Sequence, residues 1–379
     1  MIYFDNAATS YPKSDAVIAA VSEHIVRSGG NPGRSGHRLA SAAEEAVFDA
    51  REAVGGMMNI TGPQNVIFTS GATAALNLAL LGTARYGDHI ICTNLEHNSV
   101  LRPLYFLRRN RSVGVSYVDA LCPDDELIAR ITRAITRRTR MIVTLHASNV
   151  CPRVLPISRI GEVAHRHGLI YVVDAAQSAG VFPIDTLRDG ADIVCIPSHK
   201  GIGGIQGAGV AAFADGFDFA RLNGVTYGGN GVNTVYGEMG NTPPESYEAG
   251  TLPVPAIVSM TAGIADIGNM GLTAVAAHEN MLRMRLCKGL NRLGARIYGE
   301  GLGRGGTIMF NADGIGGSDL ADRLASVDIC VRAGMHCAPL AHDALQTGGD
   351  AVRVSFSHAN TADEVDEFIS ALSEILKKQ

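Results

Sequence analysis

Short apolar runs alternate along the first 213 residues with longer stretches of helical periodicity. Runs rich in β-branched or aromatic residues predict strands at 66–69, 89–93, 113–118, 141–145, 170–173, 193–196 and 209–213. Helical patterns lie between several of them, for example at 124–135 and 157–167. Apolar strands that alternate with helices are typical of a mostly parallel sheet with helices on both faces. The pattern therefore predicts an α/β fold built on a seven-stranded sheet.

The pattern changes after residue 213. An irregular stretch at 227–251 is rich in glycine, asparagine and proline, and loops of that length tend to be functional. Helical runs at 255–270 and 272–293 then lead to a tail that mixes strands with helices. We therefore expect a large domain at residues 15–255 and a smaller α+β domain at residues 256–379, which also includes residues 1–14.

Residues 66–81 predict a strand, a turn of small residues and a helix. The turn contains Ala72 and Thr73, and the free N–H groups of a helix that begins there would form an anion site with the Thr73 hydroxyl. Ordinary helix capping explains the same pattern. A glycine- and proline-rich loop at 31–37 carries Arg34 and His37, which are either substrate or phosphate contacts or solvated loop residues.

Polar residues follow four of the predicted strands at the point where each strand ends. They are His97, Asn149, Asp174 with Gln177, and Ser198-His199-Lys200. Ligands of parallel sheets bind beyond the carboxyl ends of the strands, so we expect these side chains to converge on one edge. Each of them alone has an ordinary structural explanation, such as a loop histidine or a helix cap. Together, at successive strand ends, they favour a ligand site.

Two residues are candidates for covalent chemistry. Burial of Lys200 near other cations would lower its pKa and leave an amine that forms a Schiff base with an aldehyde cofactor. The alternative for Lys200 is an ordinary surface lysine. Cys337 lies beside His336 in a loop bounded by Gly334 and Pro339, and such an exposed and polar setting suits a reactive thiolate.

Composition excludes several classes of function. A net charge of -5 without a long block of like charges gives no basic surface for nucleic acid. The chain has no basic segment followed by an apolar run at its start and no apolar segment of about 18 residues, so we expect a cytoplasmic protein that does not enter a membrane. Seven cysteines without CxxC spacing predict neither a disulfide framework nor a metal site.

Seven motifs, in this order along the chain, resemble the class V aminotransferase family of fold-type I pyridoxal phosphate enzymes. Within that family the chain is most similar to the cysteine desulfurases and selenocysteine lyases. The motifs are Phe4-Asp5-Asn6-Ala7-Ala8-Thr9, Phe68-Thr69-Ser70-Gly71-Ala72-Thr73, Glu96-His97-Asn98-Ser99, Val173-Asp174-Ala175-Ala176-Gln177, Ser198-His199-Lys200, Glu248-Ala249-Gly250-Thr251 and Arg332-Ala333-Gly334-Met335-His336-Cys337-Ala338. The resemblance extends over essentially the whole chain.

The resemblance implies a pyridoxal 5'-phosphate site. Lys200 would hold the cofactor covalently and later move the Cα proton of the substrate, while Asp174 would pair with the pyridinium nitrogen. His97 would stack on the ring, and Asn149 and Gln177 would bind the phenolic oxygen. The expected phosphate ligands are Ala72, Thr73, Ser198 and His199, with Thr251 from the second subunit of a homodimer.

The resemblance also implies how substrate is bound and transformed. Arg353 would form a bidentate pair with the substrate carboxylate, beside Asn6 and Ala7. A cross-strand salt bridge is the alternative for Arg353. Cys337 would take sulfur from L-cysteine as a persulfide and leave L-alanine. A protonated histidine nearby, either His336 or another, would favour its thiolate.

The expected function is that of a cysteine desulfurase which supplies sulfur, for example for iron–sulfur cluster assembly. The short distance in sequence from Cys337 to Arg353 predicts a compact cysteine loop. Such a loop resembles that of the desulfurases that hand their persulfide to a dedicated acceptor protein, which implies an acceptor protein here as well. A selenocysteine lyase acting on L-selenocysteine, or another transferase of the same family, is one alternative. A catalytically silent scaffold that binds a partner is another.

Overall fold

A computed structural model of the chain describes residues 1–33, 36–230 and 237–378. Arg34 and the part of the irregular stretch at 231–236 lie outside the described residues. The helices are α1 Asp15–Arg27, α2 Arg38–Met58, α3 Ala72–Thr83, α4 Asn98–Arg111, α5 Asp124–Ala134, α6 Ile157–Arg166, α7 Thr186–Asp189, α8 Val254–Met270, α9 Leu272–Arg292, α10 Gly317–Ala325, α11 Pro339–Leu345 and α12 Ala362–Lys377. The strands are β1 Ile2–Tyr3, β2 Val66–Thr69, β3 His89–Thr93, β4 Gly114–Val118, β5 Thr139–Leu145, β6 Ile170–Asp174, β7 Ile193–Pro197, β8 Gly209–Phe213, β9 Arg296–Tyr298, β10 Thr307–Asn311, β11 Ile329–Cys330, β12 Arg332–Gly334 and β13 Ala351–Ser355.

The main sheet has seven strands in the order β2-β8-β7-β6-β5-β3-β4. β7, β6, β5, β3 and β4 are joined by parallel ladders, whereas β8 is antiparallel to both of its neighbours. The predicted α/β fold with a mostly parallel seven-stranded sheet is therefore confirmed. Because β8 reverses direction between β7 and β2, the carboxyl end of β2 lies at the same edge as those of the parallel strands.

Alternate residues of the strands face two separate apolar cores, as the two-residue period of a pleated strand requires. One face packs on α3 and α4 through Ile67, Ile90, Met141, Val143, Ile170, Val172 and Ile193. The other face packs on α2, α5, α6 and α8 through Val66, Phe68, Ile91, Ile142, Tyr171, Val173 and Val194. Burial on both faces explains why these strands are apolar throughout rather than alternating.

A second sheet of four antiparallel strands, in the order β12-β13-β10-β9, lies in the C-terminal part of the chain. Its core contains residues of α9, α10 and α12, and it also contains Phe4, which is fully buried against Phe356 and Phe368. β1 pairs with β11 in parallel, so the first residues of the chain pack with the last hundred. The division into domains at residues 15–255 and 256–379 with 1–14 stays a prediction.

None of the helices in the described ranges combines the length and the apolar character that are needed to cross a bilayer.

Glu279 on α9 is a buried carboxyl group in a cavity between the two sheets. It is 7% exposed, and its Oε2 atom would lie 2.6 Å from a Cβ added to Gly306. The same cavity is lined by Asn6, Ser357 and His358. Burial raises the pKa of Glu279 to about 8. The folded protein therefore holds a proton on this carboxyl group over a pH range in which the unfolded chain has released it.

We predict that Glu279→Gln changes the pH dependence of stability. A raised pKa makes the free energy of unfolding fall as pH increases from about 4.5 to about 8, and the amide variant lacks this loss. The variant should match the original protein at pH 4 and exceed it by roughly 3 to 5 kcal/mol at pH 8.5. Urea unfolding at both pH values measures this difference. The exposed Glu367→Gln should show no such trend, and equal effects of Glu279→Gln at both pH values would contradict the prediction.

Candidate active site

A cleft of about 240 Å³ lies at the carboxyl edge of the main sheet. The segments that line it follow β2, β3, β5, β6 and β7, so the sheet itself brings them together. Of the predicted site residues, Ala72, Thr73, His97, Asn149, Asp174, Gln177, His199 and Lys200 line the cleft. The convergence expected of polar strand ends is thus present in the structure.

The first turn of α3 forms one end of the cleft. Its N-cap residue Gly71 has a φ of 151° and no side chain that could cap the helix. A Cβ atom on Gly209 would lie 2.5 Å from the Gly71 backbone, so β8 approaches this turn closely. Thr73 Oγ1 lies 2.7 Å from Ser99 Oγ on α4. Free N–H groups and two hydroxyls make this end of the cleft suitable for an anion. Ser99 was not among the predicted site residues.

Lys200 lies two residues beyond Ser198 at the end of β7 and faces the cleft. Burial, together with the positive charges of Arg353 and Arg332 and against the opposing charge of Asp174, lowers its pKa to about 8. A substantial fraction of Lys200 is therefore a neutral amine near pH 8, which is the nucleophilic form.

Asp174 is the last residue of β6 and is 4% exposed. Its Oδ1 atom accepts a hydrogen bond of 2.9 Å from the backbone N–H of Ala176. Burial raises the pKa of Asp174, whereas this hydrogen bond and the charge of Lys200 lower it. The carboxyl group is thus held in a fixed position inside the cleft, close enough to Lys200 for their charges to interact.

His97 caps α4, and its ring is neutral. The backbone N–H of Ser99 donates to Nδ1 at 3.0 Å, so the ring proton resides on Nε2. Burial lowers the pKa of His97 to about 4, and the charges of Lys200 and Arg353 add to this effect. His97 can therefore accept or donate through Nε2 without carrying a permanent charge.

The side-chain amides of Asn149 and Gln177 donate to backbone carbonyl groups. Asn149 Nδ2 donates to the carbonyl of His336 at 2.8 Å, and Gln177 Nε2 donates to that of Ala7 at 2.9 Å. Asn149 Oδ1 is buried and has no partner among the described residues. The two amides therefore connect the cleft to the loop that contains His336 and to the N-terminal segment that contains Ala7.

Arg353 on β13 is 2% exposed and is paired with Asp5. Its Nη2 atom lies 2.5 Å from Asp5 Oδ1, and Nη1 donates to the carbonyl of Asn149 at 3.3 Å. Its Nε atom is buried without a partner in the described part of the chain. The salt bridge that was the alternative for Arg353 is thus present, with Asp5 as a partner that the sequence pattern did not indicate.

Asn6 and Ala7 are held by the end of β13. Asn6 Nδ2 donates to the carbonyl of Ser355 at 3.1 Å and to Asn360 Oδ1 at 3.1 Å, while the N–H of Ala7 donates to Ser355 Oγ at 2.8 Å. Both residues line the cavity that also contains Glu279, and Lys200 borders this cavity as well as the cleft. The N-terminal segment therefore lines the cavity next to the cleft, and Ala147, Gln177 and Lys200 border both spaces.

Ser198 and Thr251 do not line the cleft. Ser198 is fully buried and its Oγ lies 3.4 Å from Ser259 Oγ on α8. Thr251 is exposed on the loop before α8. Within this single chain, neither side chain lies with the other predicted phosphate ligands.

Cys337 is partly exposed in the short loop between β12 and α11. Its carbonyl accepts a hydrogen bond of 2.7 Å from the N–H of Asn98, the residue after His97. The compact loop expected from the sequence is present, and its backbone is joined directly to the cleft. Burial lowers the pKa of His336 to about 3, so the expectation of a protonated His336 beside Cys337 is wrong.

Among the described residues, no group of three or more His, Cys, Asp and Glu side chains is placed to hold a metal ion.

The chain is similar to proteins of known family over its whole length. A family model described as aminotransferase class V matches residues 2–368. A probable cysteine desulfurase of Halalkalibacterium halodurans is 30% identical over 98% of this chain and 92% of its own. The solved structure of a cysteine desulfurase from Thermococcus onnurineus is 30% identical, with a TM-score of 0.91 over 100% of this chain and 95% of its own. A cysteine desulfurase from Escherichia coli is 25% identical, with a TM-score of 0.87 over 99% of this chain and 94% of its own.

The loop that presents Thr251 is anchored by a buried ion pair between Arg51 and Glu248. Arg51 Nη2 lies 2.6 Å from Glu248 Oε2, and Arg51 Nη1 lies 2.9 Å from Oε1. The N–H of Phe68 donates to the same carboxylate at 2.6 Å, and the guanidinium lies 4.8 Å from the Phe68 ring. The two charged side chains are 9% and 6% exposed. This anchor joins the loop to α2 and β2.

We predict that Glu248→Gln destabilises the protein by about 3 to 5 kcal/mol, because it leaves the Arg51 charge buried without its counterion. The double variant Arg51→Met/Glu248→Gln should recover part of this loss, since it buries no unpaired charge. Chemical denaturation measures all three proteins. Glu245→Gln, at an exposed position of the same loop, should change stability by less than about 0.5 kcal/mol. A loss no larger in Glu248→Gln than in Glu245→Gln would show that the pair does not anchor the loop.

Proposed function

The chain belongs to the class V aminotransferase family, and from this premise we propose that it is a pyridoxal-phosphate-dependent cysteine desulfurase. The observation that carries the proposal is the direct bond between the cysteine loop and the cleft: the N–H of Asn98 donates to the carbonyl of Cys337 beside His97. A thiol held at this place suits sulfur transfer, whereas an aminotransferase needs no thiol. Cysteine desulfurases are also the relatives and structural neighbours described above.

The residues of the cleft fit pyridoxal 5'-phosphate. Lys200 offers an amine with a lowered pKa, and Asp174 offers a buried carboxylate that can pair with a ring nitrogen. The uncapped first turn of α3 offers N–H groups for a phosphate. Asn149 Oδ1 and His199 Nδ1 are buried polar atoms without partners in the described ranges. Such orphaned atoms are expected where a polar ligand completes a site.

Each residue would hold the cofactor in a particular way. Lys200 would bind it covalently, Asp174 at the ring nitrogen, and His97 at the ring face. The proposed polar contacts are Asn149 and Gln177 at the phenolic oxygen and Ala72, Thr73, Ser198 and His199 at the phosphate, with Thr251 contributed by a second subunit. When bound, the cofactor supplies an electron-withdrawing ring that stabilises negative charge at the substrate Cα.

The net reaction transfers one sulfur atom from L-cysteine to Cys337. The Cβ–S bond of the substrate breaks, an S–S bond forms to Cys337 Sγ, and a proton is added at Cβ, so L-alanine and a Cys337 persulfide result. The neutral amine of Lys200 would move the proton at the substrate Cα. Neutral His97 would donate or accept a proton through Nε2. His336 is neutral and supplies no positive charge to Cys337.

Substrate would be oriented through its carboxylate. Arg353 has an Nε donor without a partner in the described ranges, and a planar guanidinium suits bidentate pairing with a carboxylate. Asp5 already lies on Nη2, so an incoming carboxylate has to compete with it or share the guanidinium. Asn6 and Ala7 would border the same site. Arg353 is thus proposed to select amino acids that carry one carboxylate near the amine.

We further propose that the protein acts as a homodimer in the cytoplasm and passes its sulfur to an acceptor protein, for example in iron–sulfur cluster assembly. Exposure of Thr251 on an anchored loop supports a role at a second subunit. Partial exposure of Cys337, next to Met335 at 44% exposure, supports hand-over to an external partner rather than to a buried site.

The first test is Cys337→Ala. With L-cysteine, the original protein should release one alanine for each sulfur, and the variant should lose at least about 100-fold in kcat because it lacks the nucleophile. Alanine is measured by chromatography and sulfide with and without a reductant. Cys122→Ala, which changes a partly exposed loop cysteine, serves as the matched control and should keep full activity.

Selenocysteine separates the competing functions. The Cys337→Ala variant should still cleave L-selenocysteine, because this substrate does not need the thiol nucleophile. Unchanged turnover of L-cysteine in Cys337→Ala would refute the mechanism. Turnover of L-selenocysteine alone by the original protein would favour a selenocysteine lyase, and no turnover of either substrate would favour the silent scaffold.

The second test uses opposite effects at Arg353 and Asp5. Arg353→Lys should raise KM for L-cysteine by about 10- to 100-fold, because a lysine cannot pair with a carboxylate in a bidentate manner. Asp5→Asn should lower KM severalfold, since it removes a negative charge that competes for the same guanidinium. Steady-state kinetics measure both. An increase of KM in Asp5→Asn would show that Asp5 holds Arg353 in place instead of competing with substrate.

A further inference from the structure

A buried chain of three polar side chains lies behind Cys337. His336 Nδ1 lies 3.2 Å from His342 Nε2, and His342 Nδ1 lies 2.5 Å from Thr347 Oγ1. At the two ends, His336 Nε2 lies 3.2 Å from the carbonyl of Arg332, and the N–H of Gly349 lies 3.1 Å from Thr347 Oγ1. This series of hydrogen bonds therefore extends from β12, before the cysteine loop, to the turn before β13.

The chemistry of its ends fixes the direction of every hydrogen bond. The carbonyl of Arg332 can only accept, so His336 Nε2 carries a proton and, in the neutral ring, Nδ1 accepts. His342 Nε2 must then donate to His336, which leaves His342 Nδ1 as an acceptor. Thr347 Oγ1 donates to that atom and accepts from the N–H of Gly349. The five groups form one consistent sequence of donors and acceptors.

The surroundings keep both imidazoles neutral. His336, His342 and Thr347 are 3%, 1% and 5% exposed. The two rings stack at an interplanar angle of 14° with centroids 5.3 Å apart. Burial lowers the pKa of His336 to about 3 and also lowers the pKa of His342. The three hydrogen-bonded side chains thus hold the loop in place and contribute no charge to it.

The cysteine loop needs such a scaffold because of its backbone conformation. His336 and Cys337 have φ values of 47° and 55°, in the left-handed region that is unfavourable for a residue with a Cβ atom. Two anchors hold the carbonyls of this pair, from Asn149 Nδ2 to His336 and from the N–H of Asn98 to Cys337. The side chain of His336 is the third anchor, and it is held by His342.

We propose that His342 and Thr347 are positioning residues for Cys337: their hydrogen-bond chain fixes His336 and thereby the left-handed loop that places the thiol. This inference rests on the proposed sulfur transfer to Cys337. Neither residue lines the cleft. Their effect is therefore on the step that needs the thiol and not on cofactor or substrate binding.

The test compares Thr347→Val with Thr347→Ser and adds His342→Phe. Valine keeps the shape of threonine but cannot donate, serine keeps the hydroxyl, and phenylalanine keeps a ring but cannot donate to His336. In the holoenzyme we expect the kcat for L-cysteine to fall by about 10- to 100-fold in Thr347→Val and His342→Phe, with KM changed by less than about 2-fold. Thr347→Ser should behave like the original protein.

Two further readouts separate positioning from damage to the fold. The rate at which iodoacetamide alkylates Cys337, followed by mass spectrometry, should change severalfold in Thr347→Val and His342→Phe. The visible absorption of the bound cofactor and the cleavage of L-selenocysteine should stay unchanged. The proposal would be overturned if Thr347→Val and His342→Phe both kept the kcat and the alkylation rate of the original protein. It would also be overturned if both variants lost cofactor absorption and activity to the same extent.

The alkylation rate is measured without turnover, so it also distinguishes the two proposals. If the original protein forms no alanine from L-cysteine, the proposed function fails. The positioning role of His342 and Thr347 is then still decided by the rate at which Cys337 is alkylated in the three variants.

Discussion

The protonation and hydrogen bonding of the whole site depend on two buried cations, Lys200 and Arg353, and on the carboxylates beside them. Arg353 is 2% exposed and depends on Asp5, while Lys200 shares its surroundings with Asp174. Burying such charges is costly unless counter-charges and hydrogen bonds are supplied in fixed places. Burial, with the positive charges of Lys200 and Arg353 as a smaller contribution, also lowers the pKa values of the neighbouring histidines His97, His199 and His336. The polar groups of the cleft are consequently donors and acceptors of defined direction, and very few of them are free to titrate near neutral pH.

Much of the fold follows from local sequence because buried parallel strands have a simple signature. The runs at 170–173 and 193–196 are apolar throughout and the run at 89–93 is apolar except at its two ends, and the structure has strands there whose residues are buried on both faces. The convergence of His97, Asp174 and Lys200 follows from the same fact, since strands that run in parallel end at one edge. The order of the seven motifs along the sequence indicated the class V aminotransferase family, and the match of the family model to residues 2–368 confirms it.

Side-chain direction and distant partners could not be derived in this way. Ser198 and His199 are adjacent, yet Ser198 faces Ser259 on α8 and His199 faces the cleft. The pair between Asp5 and Arg353 joins residues 348 positions apart, and no local pattern marks it. The expectation for His336 was wrong for a related reason: its ionisation depends on burial and on His342, which enter only with the tertiary structure.

The N-terminal segment has a consequence for how the chain folds during synthesis. Ile2 and Tyr3 pair with Ile329 and Cys330, and Asp5 binds Arg353, which lies 348 positions later in the sequence. Domains generally fold as units while the chain emerges from the ribosome, and contacts of such long sequence separation form slowly. The strands of the main sheet are all synthesised by residue 213, whereas Asp5 meets the Arg353 guanidinium only after residue 353 has left the ribosomal tunnel.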